Sequence, residues 1–419
     1  MRPIGPPGEQ GDEQVGPDAR VQYAIRVGMF FGAIFLVYGT QLPYLPVWLA
    51  WSGLTSAEIG IITAAPLMAR LIATPSVAFL ADRSGRHRGI LILLTWGGLG
   101  ALVVMGQSHG FWPLFALSML SGLCLSTVMP LTETVAMAGV RRAGLDYGRM
   151  RLWGSLTFIA ASFIGGWMVE RWGPAAGIWA IIAGAALAVA AAHMLPHPHP
   201  EPSDAGPGGT TSKPRPRLRL ADVASLMRTR EMLAFLVAAG AVQSAHAVLY
   251  TFGTLHWRAQ GIGPTTIGVL WSIGVIAEIV LFLYSSTVMQ RLGAITLLNI
   301  GAVASVVRWL VMSLDPPLAV LLPLQVLHGA TYGAAHLGAI HFIARAVPES
   351  QAGTAQALYA TITAGIGMGG AMLLAGQVYD SWGGRTYLLM VALSAAALVA
   401  GFVLRRIWSG GEIGRPHES

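Results

Sequence analysis

The sequence predicts an all-α membrane protein with twelve transmembrane helices in two six-helix pseudo-repeats. Three observations lead there. Of 419 residues, 54% are hydrophobic and only 11% charged, whereas a soluble domain carries about 25% charged residues. Apolar runs of the length that crosses a bilayer, about 20 residues, recur twelve times, at 24–47, 58–80, 89–108, 112–138, 151–170, 175–195, 231–254, 265–288, 294–313, 318–343, 355–378 and 386–405. The two halves of the chain also repeat each other. Gly53-Leu-Thr-Ser-Ala-Glu-Ile-Gly60 aligns with Gly261-Ile-Gly-Pro-Thr-Thr-Ile-Gly268 at an offset of 208, and the same offset carries Arg83-Ser-Gly85 onto Arg291-Leu-Gly293. Farther on, Glu170-Arg-Trp-Gly173 matches Asp380-Ser-Trp-Gly383 at an offset of 210. Parallel repeats of this size are one way in which membrane transporters are built.

Taken in order, residues 1–22 are rich in Gly, Pro and acids and lack the apolar core of a signal peptide, so a disordered cytoplasmic tail is expected. The N-terminal half then runs over 23–195. Between its second and third spans lies Leu80-Ala-Asp-Arg-Ser-Gly-Arg-His-Arg88, a short hairpin dense in charge. Basic residues between membrane helices stay on the cytoplasmic side, and Gly85 suits a tight turn that needs positive φ. Residues 196–230 are expected to form a cytoplasmic linker. Its stretch from His197 to Arg219 is too rich in Pro and Gly to pack, and His197 and His199 read as solvated rather than metal-binding. The C-terminal half covers 231–406, and 407–419 form a second cytoplasmic tail. With both termini inside, 21 basic residues fall in cytoplasmic segments against three in periplasmic turns, Arg171, Arg258 and Arg385. That asymmetry sets the orientation.

Composition excludes several classes. The net charge of +7 does not suggest nucleic acid, because the cations sit in short loops and not on a face with stacking aromatics. A single cysteine, Cys124, excludes an internal disulfide and a cysteine metal cluster. No paired carboxylates, nucleophile elbow or metal-ligand spacing marks an enzyme, and no soluble signalling domain is present.

The spans carry a few charges that the bilayer makes costly. Arg70 in span 2 and Glu278 in span 8 occupy the same position of the repeat, 208 residues apart. Each lies twelve residues from both ends of its helix, roughly 18 Å at 1.5 Å per residue, hence near the midplane. An unpaired charge there costs at least about 2.5 kcal/mol, so each must meet a partner or a wet cavity. Either role, cavity group or buried tie between halves, fits the position. Glu133 lies in span 4, within reach of Arg149 and Arg151 at the start of span 5. His246, Arg308, His328 and His336 complete the set; a histidine in a membrane helix serves a cavity or simply bonds a neighbouring helix. The second role is expected of His336, and both remain open for His246 and His328. Tyr38, Trp153, Tyr250, Trp271 and Tyr332 are candidate pocket walls, or packing and interface anchors.

The hairpin residues Asp82, Arg83, Gly85, Arg86 and Arg88 resemble the loop between the second and third helices of the major facilitator superfamily, G-x-L-A-D-R-x-G-R-[RK]-[RK], with Ala78 and His87 departing from it. Asp146-Tyr-Gly-Arg-Met-Arg-Leu-Trp-Gly-Ser155, Gln243-Ser-Ala-His-Ala247, Leu270-Trp-Ser-Ile-Gly-Val-Ile-Ala-Glu278 and Val307-Arg-Trp309 are similar to the 3-phenylpropionic acid transporter branch, near lactose permease and nucleoside:proton symporters. That resemblance implies secondary active transport by alternating access, in a bacterial inner membrane, driven by the proton gradient with no cofactor or metal. Glu278, Arg308 and His328 resemble the proton-coupling set of lactose permease. Thr331 stands where that permease has a second carboxylate, which leaves coupling to Glu278. The expected substrate is a small aromatic carboxylate such as 3-phenylpropionate, held by the Arg70 fork, with Tyr38, Glu133, Arg151, Trp153, His246, Tyr250 and Trp271 around it. A neutral sugar or nucleoside, held by Glu133, Arg151 and a stacking tryptophan, is the alternative. Asp82, Arg83, Gly85 and Arg86 are expected to gate, and the chain is expected to act as a monomer.

Overall fold

In a computed structural model, residues 17–196 and 220–413 are described. Residues 1–16 of the first expected tail, 414–419 of the second and the stretch from His197 to Arg219 lie outside these residues. Among the described residues, eleven helical stretches are long and apolar enough to cross a membrane. The last of them, Glu349–Ile407, is 59 residues long, roughly 88 Å if straight, about three bilayer cores. It breaks at Gly383, where φ is +52°, and at a 3₁₀ turn over Gly383–Thr386. Its two parts pack against different neighbours, so the chain crosses twelve times.

The N-terminal half comprises α1 (Pro17–Trp51), α2 (Ser56–Ser84), α3 (His87–Met105), α4 (Phe111–Ala143), α5 (Tyr147–Trp172) and α6 (Ala176–Met194). Thr55 and Glu58 form a reciprocal capping box that starts α2, and Gly85 ends it in the left-handed region at φ +64°. Asp146 caps α5 by accepting from the Arg149 amide at 3.1 Å. Two expectations are corrected. Residues 17–22 belong to α1, because Asp18 and the chain after it continue the helix instead of fraying as a tail. Residues 220–227 of the expected linker form a short amphipathic helix, α7 (Leu220–Met227), with Leu226 buried.

In the second half the crossings are less regular. The seventh is α8 (Arg230–Ser244), a π segment at Leu249–Gly253 and α9 (Thr254–Ala259). The eighth is α10 (Pro264–Leu283), followed by a short α11 (Ser285–Leu292), and the ninth is α12 (Ala294–Met312). The tenth joins α13 (Leu318–Val326), a π segment at Gly329–Ala334 and α14 (Ala335–Ala346). The eleventh joins α15 (Glu349–Ala360), a π segment at Thr361–Gly367 and α16 (Met368–Trp382), and α17 (Tyr387–Ile407) is the twelfth. Single-turn π segments cluster at functional sites, and two of these three, at Leu249–Gly253 and Gly329–Ala334, supply residues of the central cavity.

The halves meet where α2 packs on α16 and on the π segment at Thr361–Gly367, and where α5 packs on α10. Glycines let the backbones touch: Gly60 lies against Gly376, and Gly268 against the Ser162 carbonyl. Two acids then tie the helix starts. The Glu170 carboxylate at the end of α5 accepts the Thr265 amide at 2.9 Å, and Asp380 at the end of α16 accepts the Ser56 hydroxyl. Each acid therefore caps the positive N-terminus of a helix from the other half, and the two ties occupy equivalent places in the repeat. We expect Glu170→Gln and Asp380→Asn together to loosen this end. Spin labels on Trp51→Cys and Trp382→Cys, in a Cys124→Ser background, report it. A broader and longer distance distribution is expected, and an unchanged one would remove the ties from the closing mechanism.

Candidate functional site

At the far end the halves separate around a central cavity of about 890 Å³. Its lining reaches Leu283 at the end of α10, which is 73% exposed and lies at the end of the repeat that corresponds to the α2–α3 hairpin. The C-terminal wall carries a chain of polar groups. Arg308, only 1% exposed, donates from Nη1 to His328 Nδ1 at 3.1 Å and to Thr331 Oγ1 at 3.0 Å, and from Nη2 to Gln325 Oε1 at 2.7 Å. Its plane lies 4.7 Å from the Trp309 ring. Arginine only donates, so Nδ1 of His328 is the acceptor and the ring proton sits on Nε2. That Nε2 points at Glu278 Oε2, 3.8 Å away, a gap wider than a hydrogen bond.

The same logic orders the next link. His246 Nδ1 lies 3.1 Å from the Gln243 carbonyl, which accepts, so Nε2 receives the Thr331 hydroxyl proton at 3.0 Å. Both histidines are thereby held as single neutral tautomers by their partners. Among the described residues no carboxylate lies within salt-bridge reach of Arg308, and Glu278 is the only acid on this wall.

The N-terminal wall carries Arg151, Tyr147 and Glu133. Tyr147, Arg151, Ser155 and Phe158 follow at steps of three and four on α5 and so share the face that lines the cavity. The Arg151 guanidinium stacks on Phe35, 4.0 Å from the ring centroid, and its buried Nη1 has no hydrogen-bond partner. Tyr147 and Glu133 line the same wall. Tyr250, Trp271 and Tyr332 face them, with Tyr250 and Trp271 stacked at 6.0 Å.

Four of the expected binding residues do not line the cavity. Arg70 lies where α2 packs on the eleventh crossing, and its Nη2 reaches the Ala364 carbonyl at 3.5 Å. Tyr38 and Tyr332 lie in its electrostatic neighbourhood, so it stands beside the cavity. Tyr38 turns its hydroxyl to the Leu125 carbonyl at 2.9 Å. Trp153 is two residues past Arg151, about 200° around the helix, which aims it away from the cavity; it packs on Gly28 and is 57% exposed. His246 is wholly buried behind Tyr250 and Tyr332. Glu133, Arg151, Tyr250, Trp271, Glu278, Arg308 and His328 do line the space. His336 also lines it and bonds the Tyr359 hydroxyl at 3.2 Å, a tie between crossings.

Phe35, Tyr147 and Gln325 were not picked out from the sequence. Gln325, His328, Tyr332 and His336 repeat at steps of three and four, a polar stripe in an apolar run that marks the cavity face. Phe35 has no such signal, since an aromatic in an apolar helix reads as core.

In the hairpin, His87 Nε2 meets Asp82 Oδ1 at 3.0 Å, so the residue that departs from the superfamily pattern pairs with its acid. Arg83 and Arg86 are exposed beside it.

A family model described as the MFS_1 like family matches residues 24–390. The chain belongs to this family. It is therefore a major facilitator transporter, not an enzyme, and its partners include a small-molecule substrate and the lipid bilayer. Among its relatives, a protein of Escherichia coli (strain K12) described as a probable 3-phenylpropionic acid transporter is 29% identical over 365 residues, 87% of this chain and 93% of the relative. The maltose permease of Geobacillus stearothermophilus is 29% identical over 389 residues, 92% of this chain and 95% of the permease. The crystal structure of the nucleoside transporter NupG superposes with a TM-score of 0.74 at 17% identity, covering 92% of this transporter and 99% of NupG. A bacterial homologue of the lysosomal transporter Spinster, in an inward-facing and unoccupied conformation, gives 0.72 at 13% identity, with 93% of this transporter and 98% of the homologue covered. Both structural likenesses speak to the fold.

Proposed function

We propose that this transporter imports a small aromatic carboxylate together with a proton, by alternating access across a bacterial cytoplasmic membrane with both termini inside. The observation that carries the reading is the division of charge in the cavity. An arginine with a free donor, Arg151, stands on one half, and the Glu278–His328–Arg308 chain stands on the other. A carboxylate on Arg151 places an aromatic ring among Phe35, Tyr250, Trp271 and Tyr332. Arg151 takes the part first expected of Arg70, since of these two arginines Arg151 is the one that lines the space.

Glu278 is the proton carrier of this reading. A proton on His328 Nδ1 would break its bond from Arg308, whereas a proton on Glu278 breaks no hydrogen bond of the chain. Once Glu278 is neutral, the cavity loses one negative charge next to an incoming anion, which links proton and substrate in the direction of symport. The arrangement needs no cofactor, and one chain contains the whole cavity. The open end at the hairpin then corresponds to an inward-facing state.

A neutral sugar or nucleoside is the second reading. Glu133 and Tyr147 offer hydrogen-bonding groups in the cavity that Trp271 also lines, and the maltose permease relative favours it. Proteoliposomes containing the purified transporter separate the two. We expect labelled 3-phenylpropionate to accumulate when the outside is acidic, and uridine and maltose not to. Accumulation of either neutral compound without the acid would select the second reading.

A further inference from the structure

On the outer side of the second half, away from the central cavity, α8, the eleventh crossing and the start of α17 enclose a groove of about 650 Å³. It shares no lining residue with the central cavity. Its walls are almost wholly aliphatic, and Leu233, Val237 and Leu374 are each at least two-fifths exposed along it, as lipid-facing side chains are. Gly240, Gly367 and Gly370 form the floor. A Cβ at Gly370 would meet nothing within 4 Å, so the hollow there is open space.

The sequence places a charge at the mouth of this groove. Arg230, Leu233, Val237, Gly240 and Ser244 follow on α8 at steps of three and four and so lie on one face. Along α8 the groove runs roughly 16 Å from Leu233 to Ser244, and its lining continues through Leu374 to Leu389 towards the other end of the fold. Arg230 and the neighbouring Arg228 are exposed, and among the described residues neither has a carboxylate partner.

We propose that this groove holds one acyl chain of an anionic phospholipid whose phosphate sits on Arg230, with Arg228 beside it. An elongated apolar lining open to the lipid side, with a cation near one end, matches an acyl chain and its phosphate. The seat also touches the closing machinery. Ile362 and Gly367 of the groove belong to the π segment whose Ala364 meets Arg70 and whose Gly365 packs on Leu71, both of the opposite half. A chain in the groove braces that segment and so bears on how the halves separate.

Native mass spectrometry of the full chain tests this, with phosphatidylglycerol or phosphatidylethanolamine of identical chains added in detergent. The wild-type protein is expected to retain one phosphatidylglycerol in preference to phosphatidylethanolamine. Arg230→Gln should lower that preference about fivefold, and Arg230→Lys should keep it. Gly370→Leu, whose Cβ would meet nothing within 4 Å and whose side chain would occupy the groove, should lower retention of both lipids at this site. Val237→Trp blocks the same groove from a side chain already facing lipid, and serves if Gly370→Leu folds poorly. Equal retention of the two lipids by the wild-type protein would overturn the headgroup assignment, as would an unchanged preference in Arg230→Gln. Undiminished retention with the groove filled would overturn the chain site.

Discussion

Arg151→Lys is expected to weaken binding of 3-phenylpropionate by about 1.5–3 kcal/mol, roughly 10- to 150-fold. The substitution keeps the charge but loses the planar fork that grips both carboxylate oxygens. It also loses the stacking on Phe35, 4.0 Å from the guanidinium, which holds the fork aimed into the cavity. Arg70→Lys serves as the comparison. Arg70 reaches a backbone carbonyl and not the cavity, and a lysine ammonium can donate to that carbonyl as well, so acid affinity should stay near the wild-type value. Calorimetry on purified protein reads both. An unaltered affinity in Arg151→Lys, with a loss in Arg70→Lys, would restore Arg70 as the carboxylate site.

The second large effect is at Glu278. Glu278→Gln is fixed in a neutral form, so it should exchange labelled substrate for unlabelled across a membrane and yet fail to accumulate it when the outside is acidic. The reasoning rests on the hydrogen bonds around it. Arg308 donates to His328 Nδ1 and Thr331 Oγ1, and the Gln243 carbonyl fixes the His246 tautomer. The neutral histidines are thus committed to partners, and Glu278 is left as the group on that wall free to change charge. Uphill uptake by Glu278→Gln at the wild-type level would remove it from coupling. Loss of exchange as well would make it a binding or structural group instead. His328→Gln should be milder for exchange, since an amide can still accept from Arg308.

Much of the molecule was legible in the chain, for physical reasons. A bilayer leaves no water for backbone groups, so length and apolarity alone dictate helices. The offsets of 208 and 210 foretold more than a repeat. They placed Gly60 with Gly268 and Glu170 with Asp380 in equivalent positions, and these are the residues that close one end of the fold. Charges within the spans pointed to the site, because their burial is costly without a partner, and Glu278, Arg308 and His328 do converge.

What the sequence alone could not decide is which way each side chain faces. Arg70 and Glu278 hold the same place in the repeat, and both are near mid-membrane. Yet α10 turns Glu278 into the cavity while α2 turns Arg70 against Ala364. Arg151, near a helix start, lines the cavity because the twist of α5 carries Tyr147, Arg151, Ser155 and Phe158 along its wall and sends Trp153 to the opposite face. The π segments that bend crossings seven, ten and eleven had no sequence signature, and they shift the helical phase on which such readings depend. Depth in the membrane follows from counting residues along a helix; the direction a residue faces follows from how twelve helices pack, which is a property of the tertiary structure.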